Sequence, residues 1–382
     1  MINVLLLNDL SREPARQLVT GISRFGNSQG GWRFYQVPQE VYNKVDYMSN
    51  VICMVKNLGI DAIFGQWHGI DVVRAKQLGI PIFLYQRQEK IFDFPIVRCD
   101  NEAVGKMAAD YLTGLGIENI TFCGIKGVVW SSERMAAFKS SIGGSMLKEY
   151  LSDDEGTDWL SLRDWLERLP KPVAIFACND VMAKNLIAVC LSSGMSVPQE
   201  VAVLGVDDDS FICNITTPTI STVKLDFEGI GYKVGSKIEQ AIISGEYDED
   251  VILHEPVRII ERESTPPLQI KDPYVRKVLD FLQKHYTEDI SISDAIRDIP
   301  LSRRSIEIRF RKEMPGKTML HTLTELRIEK MKVILEQSDE QIYNAAIMSG
   351  FNESTNINRV FKAATGYSPR EYRLIHKKDG GN

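Results

Sequence analysis

The sequence predicts an α/β sensor of two lobes, each with a doubly wound parallel sheet, followed by an all-α domain. Short apolar runs such as "DAIFG" and "VAVLGVD" alternate with amphipathic stretches over residues 1–262, as in parallel sheets covered by helices on both faces. The 382 residues are too many for one ordinary domain of about 100 to 200. Near residue 273 the strand pattern stops and helical periodicity continues, which indicates a change of domain.

Each element is justified by its local pattern. Buried strands are expected, in chain order, at "INVLLL", "DAIFG", "IPIFLY", "NITFCGI", "VAIFAC", "VAVLGVD" and "ISTVKL". Helices are expected between them, at Pro14–Phe25, Ala103–Leu115 and Val181–Ser193, because their apolar residues recur at helical spacing. "GIGYKVG" (Gly229–Gly235) lacks the spacing of a dinucleotide fingerprint, so tight helix packing explains its glycines better.

The domain boundaries follow from these patterns. We expect the sensor over residues 1–262, with the chain passing between its lobes near residues 100, 226 and 250. The polar, proline-rich stretch "ERESTPPLQIKDP" contains the expected linker, residues 263–272. The helical domain is expected over residues 273–376, with a tail at 377–382.

Composition excludes several classes of protein. No apolar run approaches the roughly 20 residues that span a membrane. The N terminus "MINVLLLNDL" lacks a basic region and is interpreted as a first strand rather than a signal peptide, so we expect a cytoplasmic protein. Six scattered cysteines without a Cys-x-x-Cys pair suit reduced thiols. The histidines show no paired metal spacing, and we expect no metal and no other cofactor.

The charge is unevenly distributed. From Lys271 onward the chain carries 20 Lys and Arg against 16 Asp and Glu, a net charge of +4, which leaves −10 on the remainder of a chain whose net charge is −6. A basic module joined to an acidic one is weak support for a polyanionic partner of the C-terminal part.

Two segments of the helical domain share one pattern. Residues 291–316 and 338–366 each show a short helix, a tight turn and a second helix. Ser302 and Asn352 are the expected N-caps of the second helices. A single such match is often only a solvated helix face, but two copies bridged by the amphipathic stretch Thr318–Glu336 favour paired helix-turn-helix units that read the major groove of DNA.

The second segment carries a family resemblance. "LRIEKMKVIL" followed by "AAIMSGFNESTNINRVFKAATGYSPREYR" resembles the DNA-binding domain of the AraC/XylS family. The chain departs from that family at Pro300 and at Ile308, where many members carry a basic residue. The resemblance implies base contacts by Arg303, Arg304 and Ser305 in the first unit, and by Ser354, Thr355, Asn356 and Arg359 in the second.

The sensor carries a second resemblance. The segments Val97–Gly124, Ala174–Cys190, Ser196–Ser210 and Thr219–Ile238 resemble the sugar-binding domain of LacI/GalR regulators, which is similar to a periplasmic binding protein. Its pairing with an AraC/XylS domain is similar to that of bacterial xylose operon regulators. The resemblance implies duplex DNA and a sugar effector, D-xylose, as partners, a homodimer, and RNA polymerase as a further partner of an activator.

Candidate sugar ligands lie where strands end. Ligands bind beyond the carboxyl ends of parallel strands, and carboxylates, amides and arginine suit vicinal hydroxyls. Asn8, Gln66–His68, Gln86, Asp208 and Asp209 also follow strands. Trp130 stacks on a sugar or simply packs; the sequence leaves both open. The resemblance implies roles for Arg134, for Asn179 or Asp180, and for Asp207. The ligand set expected is Asp9, Trp130, Arg134, Asn179, Asp180 and Asp207.

Two classes of function remain open at this point. The first is a sugar-responsive regulator, with an activator of xylose genes ahead of a regulator that answers to arabinose, ribose or a hexose. The second is a sugar-binding protein or α/β enzyme with an unrelated helical tail. No nucleophile and base combination supports an enzyme.

Overall fold

A computed structural model describes most of the chain. The described residues are 1–37, 47–66, 72–85, 94–143, 146–246, 251–266, 272–314, 317–353 and 355–376. Within them the chain divides into two compact units, the first of Met1–Leu112 and Ile117–Thr265, and the second of Thr113–Gly116 with the residues from Pro266 onward. None of the described helices combines the length and the apolar character needed to cross a membrane.

The first unit alternates strands and helices as expected. Its strands are β1 (Asn3–Leu7), β2 (Arg33–Gln36), β3 (Ala62–Gly65), β4 (Ile82–Tyr85), β5 (Ile96–Cys99), β6 (Asn119–Ile125), β7 (Tyr150–Ser152), β8 (Val173–Ala177), β9 (Val201–Asp207), β10 (Ser221–Leu225), β11 (Val251–His254) and β12 (Pro256–Ile260). Its helices are α1 (Glu13–Ser28), α2 (Tyr47–Leu58), α3 (Val72–Lys76), α4 (Asn101–Gly114), α5 (Val129–Ser141), α6 (Trp159–Arg168), α7 (Asp180–Ser192), α8 (Ser210–Ile215) and α9 (Phe227–Ser244).

The strands form two six-stranded sheets, which confirms the predicted fold class. The first lobe has the order β11-β5-β4-β3-β1-β2 and the second β12-β10-β9-β8-β6-β7. All neighbours run parallel except β10 and β12. Strands such as β3 and β8 are buried along their whole length, because helices cover both faces of a parallel sheet. The chain passes between the sheets at Asp100, Asp226 and Glu255.

Glycines let α1 and α9 approach closely in the first lobe. A Cβ added to Gly231 would collide with the backbone carbonyl oxygen of Leu18, and one added to Gly235 would lie 2.8 Å from the Cβ of Phe25. Side chains at these positions would push the helices apart. The packing interpretation of "GIGYKVG" is therefore confirmed.

The predicted linker begins too early. Ser264 and Thr265 were expected in it, but both are buried in the first unit. The Ser264 hydroxyl donates to the carbonyl oxygen of Val203 at 2.6 Å and accepts the amide of Ser221 at 2.8 Å. The Thr265 hydroxyl lies 2.8 Å from that of Tyr111. Ser and Thr can be buried when their hydroxyls are hydrogen-bonded in this way. A linker assigned from polar composition alone therefore includes these two residues wrongly.

The second unit is helical throughout its described residues. Its core is formed by Val275, Val278, Leu282, Ile306, Phe310 and Leu323, among others. Its helices are α10 (Pro273–His285), α11 (Ile292–Ile296), α12 (Arg303–Glu313), α13 (Met319–Gln337), α14 (Ile342–Met348), α15 (Ile357–Thr365) and α16 (Pro369–His376). The pairs α11–α12 and α14–α15 are the two predicted helix-turn-helix units, and α13 packs against α10, α14, α15 and α16. The tail at 377–382 lies outside the described residues.

Candidate functional site

Arg134 is the centre of the candidate ligand site. Its side chain extends from α5 and is almost fully buried, with 2% exposed. Nε donates to Oδ1 of Asn101 at 2.9 Å, and Nη1 donates to the carbonyl oxygen of Cys178 at 2.5 Å. Nη2 lies 3.8 Å from Oδ1 of Asp207. Burial opposes the charge, but the neighbouring Asp207 contributes to a net rise in the pKa of Arg134, so the guanidinium stays charged.

Asp207 offers an acceptor to this site. It ends β9 with a φ of 113° and keeps 22% of its side chain exposed. Burial raises its pKa to about 6; Arg134 opposes that rise and Asp209 adds to it. The carboxyl group is therefore ionised at neutral pH and protonated in mild acid. No hydrogen bond from a described residue occupies its oxygens, whereas Asp208 pairs with Arg262 at 2.7 Å.

Trp130 packs against the guanidinium. Cζ of Arg134 lies 5.0 Å from the centroid of the Trp130 ring, within the range of a cation–π contact. Trp130 is half-buried at the start of α5. At least one of its roles is thus to orient Arg134, a possibility that the sequence did not suggest.

Asp180 was expected in the ligand site, but its carboxylate is bonded inside the second lobe instead. It is 1% exposed, and its Oδ1 accepts from the hydroxyl of Thr222 at 2.7 Å. Its Oδ2 accepts from the amide of Asp209 at 2.9 Å and from Sγ of Cys213 at 3.3 Å. Asp180 therefore braces β8, β9 and β10 from inside the second lobe, because its first-turn position on α7 turns it toward the sheet.

Asn179 both caps a helix and contacts the rim of the candidate site. Its Oδ1 caps α7 by accepting from the amide of Met182 at 2.8 Å. Its Nδ2 donates to Oε1 of Glu155 at 3.0 Å, at the rim of the site. The N-cap duty fixes the side chain and leaves its amide nitrogen facing Glu155.

Contacts across the cleft were missed by sequence reasoning. Arg12 precedes α1 in the first lobe, and its Nη2 lies 2.5 Å from Oε2 of Glu155 in the second lobe. Next to it, Glu13 accepts from the amide and the hydroxyl of Ser210 at 2.7 and 2.8 Å. We name Arg12, Glu13, Glu155 and Ser210 the cross-lobe clasp. Glu155 follows the short strand β7 in a loop without a motif, so no sequence signal pointed to it.

Asp9 lies beside this clasp. Its Oδ1 accepts from the amide of Ser11 at 2.9 Å. The pKa of Arg12 is raised chiefly by the hydrogen bond to Glu155, and Asp9 and Asp207 add to the rise. Asp9 and Asp207 thus contribute negative charge around the same guanidinium from opposite lobes. Trp67, His68 and Gln86, three further strand-end candidates, lie outside the described residues.

His254 is another buried polar residue that the sequence did not single out. It ends β11, is 4% exposed, and neither ring nitrogen has a hydrogen-bond partner in the described structure. Burial, and secondarily Arg134, lower its pKa to about 3, so the ring is neutral. Its ring lies 5.3 Å from that of Phe227. No group of three His, Cys, Asp or Glu residues suited to a metal ion occurs in the described part of the chain.

In the first helix-turn-helix unit the predicted N-cap is confirmed. The Ser302 hydroxyl accepts from the amide of Ser305 at 3.3 Å and lies 2.9 Å from the Ser305 hydroxyl. Arg303 pairs with Glu307 at 2.9 Å on the exposed surface of α12. Arg304 is exposed, with no hydrogen bond or ion pair among the described residues. Of the three candidates, Arg304 is therefore the one whose side chain is free for a base.

In the second unit the predicted N-cap is wrong. Asn356, not Asn352, caps α15, since its Oδ1 accepts from the amide of Arg359 at 3.2 Å. Oδ1 of Asn352 instead accepts from the hydroxyl of Thr355 at 2.6 Å, which closes the turn before the helix. Thr355 and Asn356 therefore lie immediately before α15, the second or recognition helix of this unit, and Arg359 lies in its first turn. Ser354 lies outside the described residues.

Aromatic residues and Arg327 pack on the core side of the second unit. Phe361 is fully buried and meets Tyr372 edge-on at 5.3 Å. Arg327 on α13 lies 5.9 Å from the ring of Phe351 and donates to the carbonyl oxygen of Tyr286 at 2.8 Å. These contacts fix α15 so that Arg359 stays exposed.

Comparison with known proteins finds both domains. Residues 109–265 match the family model of a periplasmic binding protein-like domain, and residues 297–374 match that of a helix-turn-helix domain. The xylose operon regulatory protein of Haemophilus influenzae is 25% identical over 97% of this chain and 98% of that protein. The protein of the same name from Escherichia coli strain K12 is 24% identical over 98% of this chain and 97% of that protein.

Solved structures share the fold. The structure of xylose-binding transcription activator xylR covers 98% of both chains, with a TM-score of 0.57 and 21% identity. A LacI family transcriptional regulator from Enterococcus faecalis with bound ribose covers 70% of this chain and 100% of that chain, with a TM-score of 0.58 and 18% identity. Both predicted resemblances are confirmed. The chain is thus a transcription regulator, not an enzyme, that joins a periplasmic-binding-protein-like sensor to an AraC-type helix-turn-helix domain.

Proposed function

We propose that this protein is an activator of pentose catabolic genes that responds to D-xylose. Full-length similarity to two xylose operon regulatory proteins supports the choice of sugar. The observation that carries the proposal is the buried Arg134 held 3.8 Å from the partly exposed Asp207, a charged donor beside a carboxylate that accepts no hydrogen bond from the described residues. In this proposal the protein works in the cytoplasm as a homodimer, with RNA polymerase recruited at the promoter.

The sugar would bind between Arg134 and Asp207. Adjacent hydroxyls of a pyranose can donate to both oxygens of one carboxylate, and the guanidinium can donate to a ring or hydroxyl oxygen. Asp9 and the amide of Asn179 would add polar contacts from the two sides of the cleft. Trp130 supports the site by fixing Arg134 at 5.0 Å.

Closure of the lobes would connect the sugar to DNA. A ligand shifts a conformational equilibrium only through its differential affinity for the two states. Asp9 and Asp207 lie on different lobes, so a sugar that contacts both prefers the closed state. The cross-lobe clasp would stabilise the closed state without ligand. The stronger the clasp, the larger the fraction of protein that is already closed before the sugar binds. Closure then changes how a dimer presents its paired helix-turn-helix units.

A second effector has one supporting observation. The Enterococcus faecalis structure that shares the sensor fold contains ribose. A ribose-responsive regulator is therefore the alternative that the effector experiments must separate from a xylose-responsive one.

The first prediction tests regulation itself. Purified full-length protein should shift the DNA upstream of its own operon in a gel, and D-xylose should change the affinity. Arg359→Ala should weaken this binding by about 1 to 3 kcal/mol and relax specificity at one base pair. Arg163→Ala, an exposed arginine of the sensor paired with Asp164, is the control and should behave like wild type. Lack of specific binding with every sugar would contradict the proposed function.

The second prediction concerns the effector. A sugar at about 100 times its dissociation constant adds roughly 2.7 kcal/mol of stability, so D-xylose should raise the thermal midpoint of the wild type. Asp207→Asn should abolish this rise, because an amide accepts fewer hydroxyl donors than a carboxylate. Asp153→Asn, at a carboxylate with 92% of its side chain exposed, should leave it intact. A rise with ribose and none with xylose would instead identify ribose as the effector.

The third prediction is the pH dependence of sugar binding. The ionised Asp207 accepts hydroxyl donors, and its pKa of about 6 in the free protein means that acid protonates it. Affinity measured by calorimetry should therefore increase from pH 5 to pH 7 and then become constant. An affinity that stays constant from pH 5 to pH 7 would contradict this role of the ionised Asp207.

The fourth prediction tests the clasp. Arg12→Glu and Glu155→Arg should each favour the open state and weaken sugar binding by a factor of about 2 to 5, the range of a partly exposed ion pair worth up to about 1 kcal/mol. The double variant should recover part of the affinity, because the pair is restored with reversed signs while Asp9 and Asp207 still repel a carboxylate at position 12. Lys126→Glu, from the exposed pair with Asp153 at 3.7 Å within one lobe, serves as the control. Additive losses in the double variant would show that the two residues act independently.

A further inference from the structure

Ile308 lies on the exposed face of α12, the second helix of the first helix-turn-helix unit. The buried residues Ile306 and Phe310 fix which side of α12 faces the core. Since successive residues turn by about 100°, Ile308 points away from both of them, and 62% of it is exposed. A single exposed isoleucine is ordinary on a protein surface, so its surroundings decide whether it has a purpose.

The surroundings are basic. Arg304 lies one turn before Ile308, and Arg311 and Lys312 lie one turn after it, all exposed. The described structure records no hydrogen bond or ion pair for these three side chains. Free cations on both sides of Ile308 favour a polyanion as the partner of this surface. An isoleucine among them suits a polyanion that also presents an apolar group.

The neighbouring Arg309 does not contribute to this surface. Its Nη1 donates to Oδ2 of Asp272 at 2.7 Å, and its Cζ lies 5.7 Å from the Tyr274 ring at the start of α10. Arg309 thus fastens α12 to α10, while position 308, on the outward side, is left to an apolar residue.

We propose that Ile308 contacts the 5-methyl group of a thymine in the major groove of the operator. Thymine alone among the bases presents a methyl group there, and apolar side chains recognise it by contact. Arg304, Arg311 and Lys312 would hold the helix in register through phosphates or base edges. The inference rests on the proposed function, which it deepens by naming one determinant of sequence preference in the first unit.

Deoxyuridine scanning tests the contact directly. In an operator fragment bound by full-length protein, each thymine of the first unit's half-site is replaced by deoxyuridine, which removes only the methyl group. One position should lower wild-type affinity about fourfold, the factor that corresponds to about 0.8 kcal/mol for one buried methyl-sized group. Ile308→Ala should lower affinity for the thymine operator by at least as much, and should no longer respond to that deoxyuridine.

The control is Leu320→Ala, since Leu320 on α13 is also 62% exposed but lies on another helix. It should keep the wild-type response. If wild type binds the unmodified operator and no deoxyuridine position matters, or if Ile308→Ala keeps the penalty, the inference is overturned and the proposed function stands. Absence of wild-type binding overturns both. A change of oligomeric state in Ile308→Ala, measured by sedimentation, would overturn the inference by showing that this surface binds protein.

Discussion

The buried guanidinium of Arg134 is the interaction on which the sensor depends. A cation in this position is stable only when donors and countercharge surround it, and these come from Asn101 at 2.9 Å, Cys178 at 2.5 Å and Asp207 at 3.8 Å. These three residues belong to the start of α4, the end of β8 and the end of β9, so one side chain fixes the relative positions of three elements. The bonds to Asn101 and Cys178 are short, whereas the 3.8 Å to Asp207 is longer than a hydrogen bond.

The same region also contains one of the crossings between the lobes. Glu133 precedes Arg134 and accepts from Nη2 of Arg98 at 2.5 Å and from Nδ2 of Asn101 at 2.8 Å. Arg98 lies on β5 of the first lobe, two residues before the crossing at Asp100, whereas Glu133 lies on α5 of the second lobe. A change in the orientation of α5 at Arg134 would therefore also move Glu133, which pairs with Arg98 beside the crossing. The cross-lobe clasp lies at another part of the cleft, so side-chain contacts join the two lobes both near the Asp100 crossing and away from it.

Much of this architecture could be predicted from sequence, because buried parallel strands and amphipathic helices leave periodic apolar patterns. The resemblances named Arg134 and Asp207 as ligand candidates, and the structure places Nη2 of Arg134 3.8 Å from Oδ1 of Asp207. Asp180 illustrates the limit: its position after a strand is that of a ligand residue, yet its bonds to Thr222 and Asp209 depend on neighbouring strands distant in sequence. Glu155 could not be found at all, because its partners Arg12 and Asn179 meet it only after both lobes have folded.

The recognition helices show how capping decides which polar residues remain free for DNA. A polar side chain at a helix start either satisfies the amides of the first turn or contacts a ligand, and each oxygen bound to the backbone is less available to a base. In the second unit the cap falls on Asn356, so Oδ1 is used internally and its amide nitrogen remains as a donor, next to the exposed Arg359. In the first unit Ser302 is the cap, Ser305 bonds back to it, and Arg303 pairs with Glu307. The first unit therefore retains fewer free polar groups than its sequence suggests, and in the proposed function its discrimination between bases would depend more heavily on Arg304 and on Ile308, one turn later.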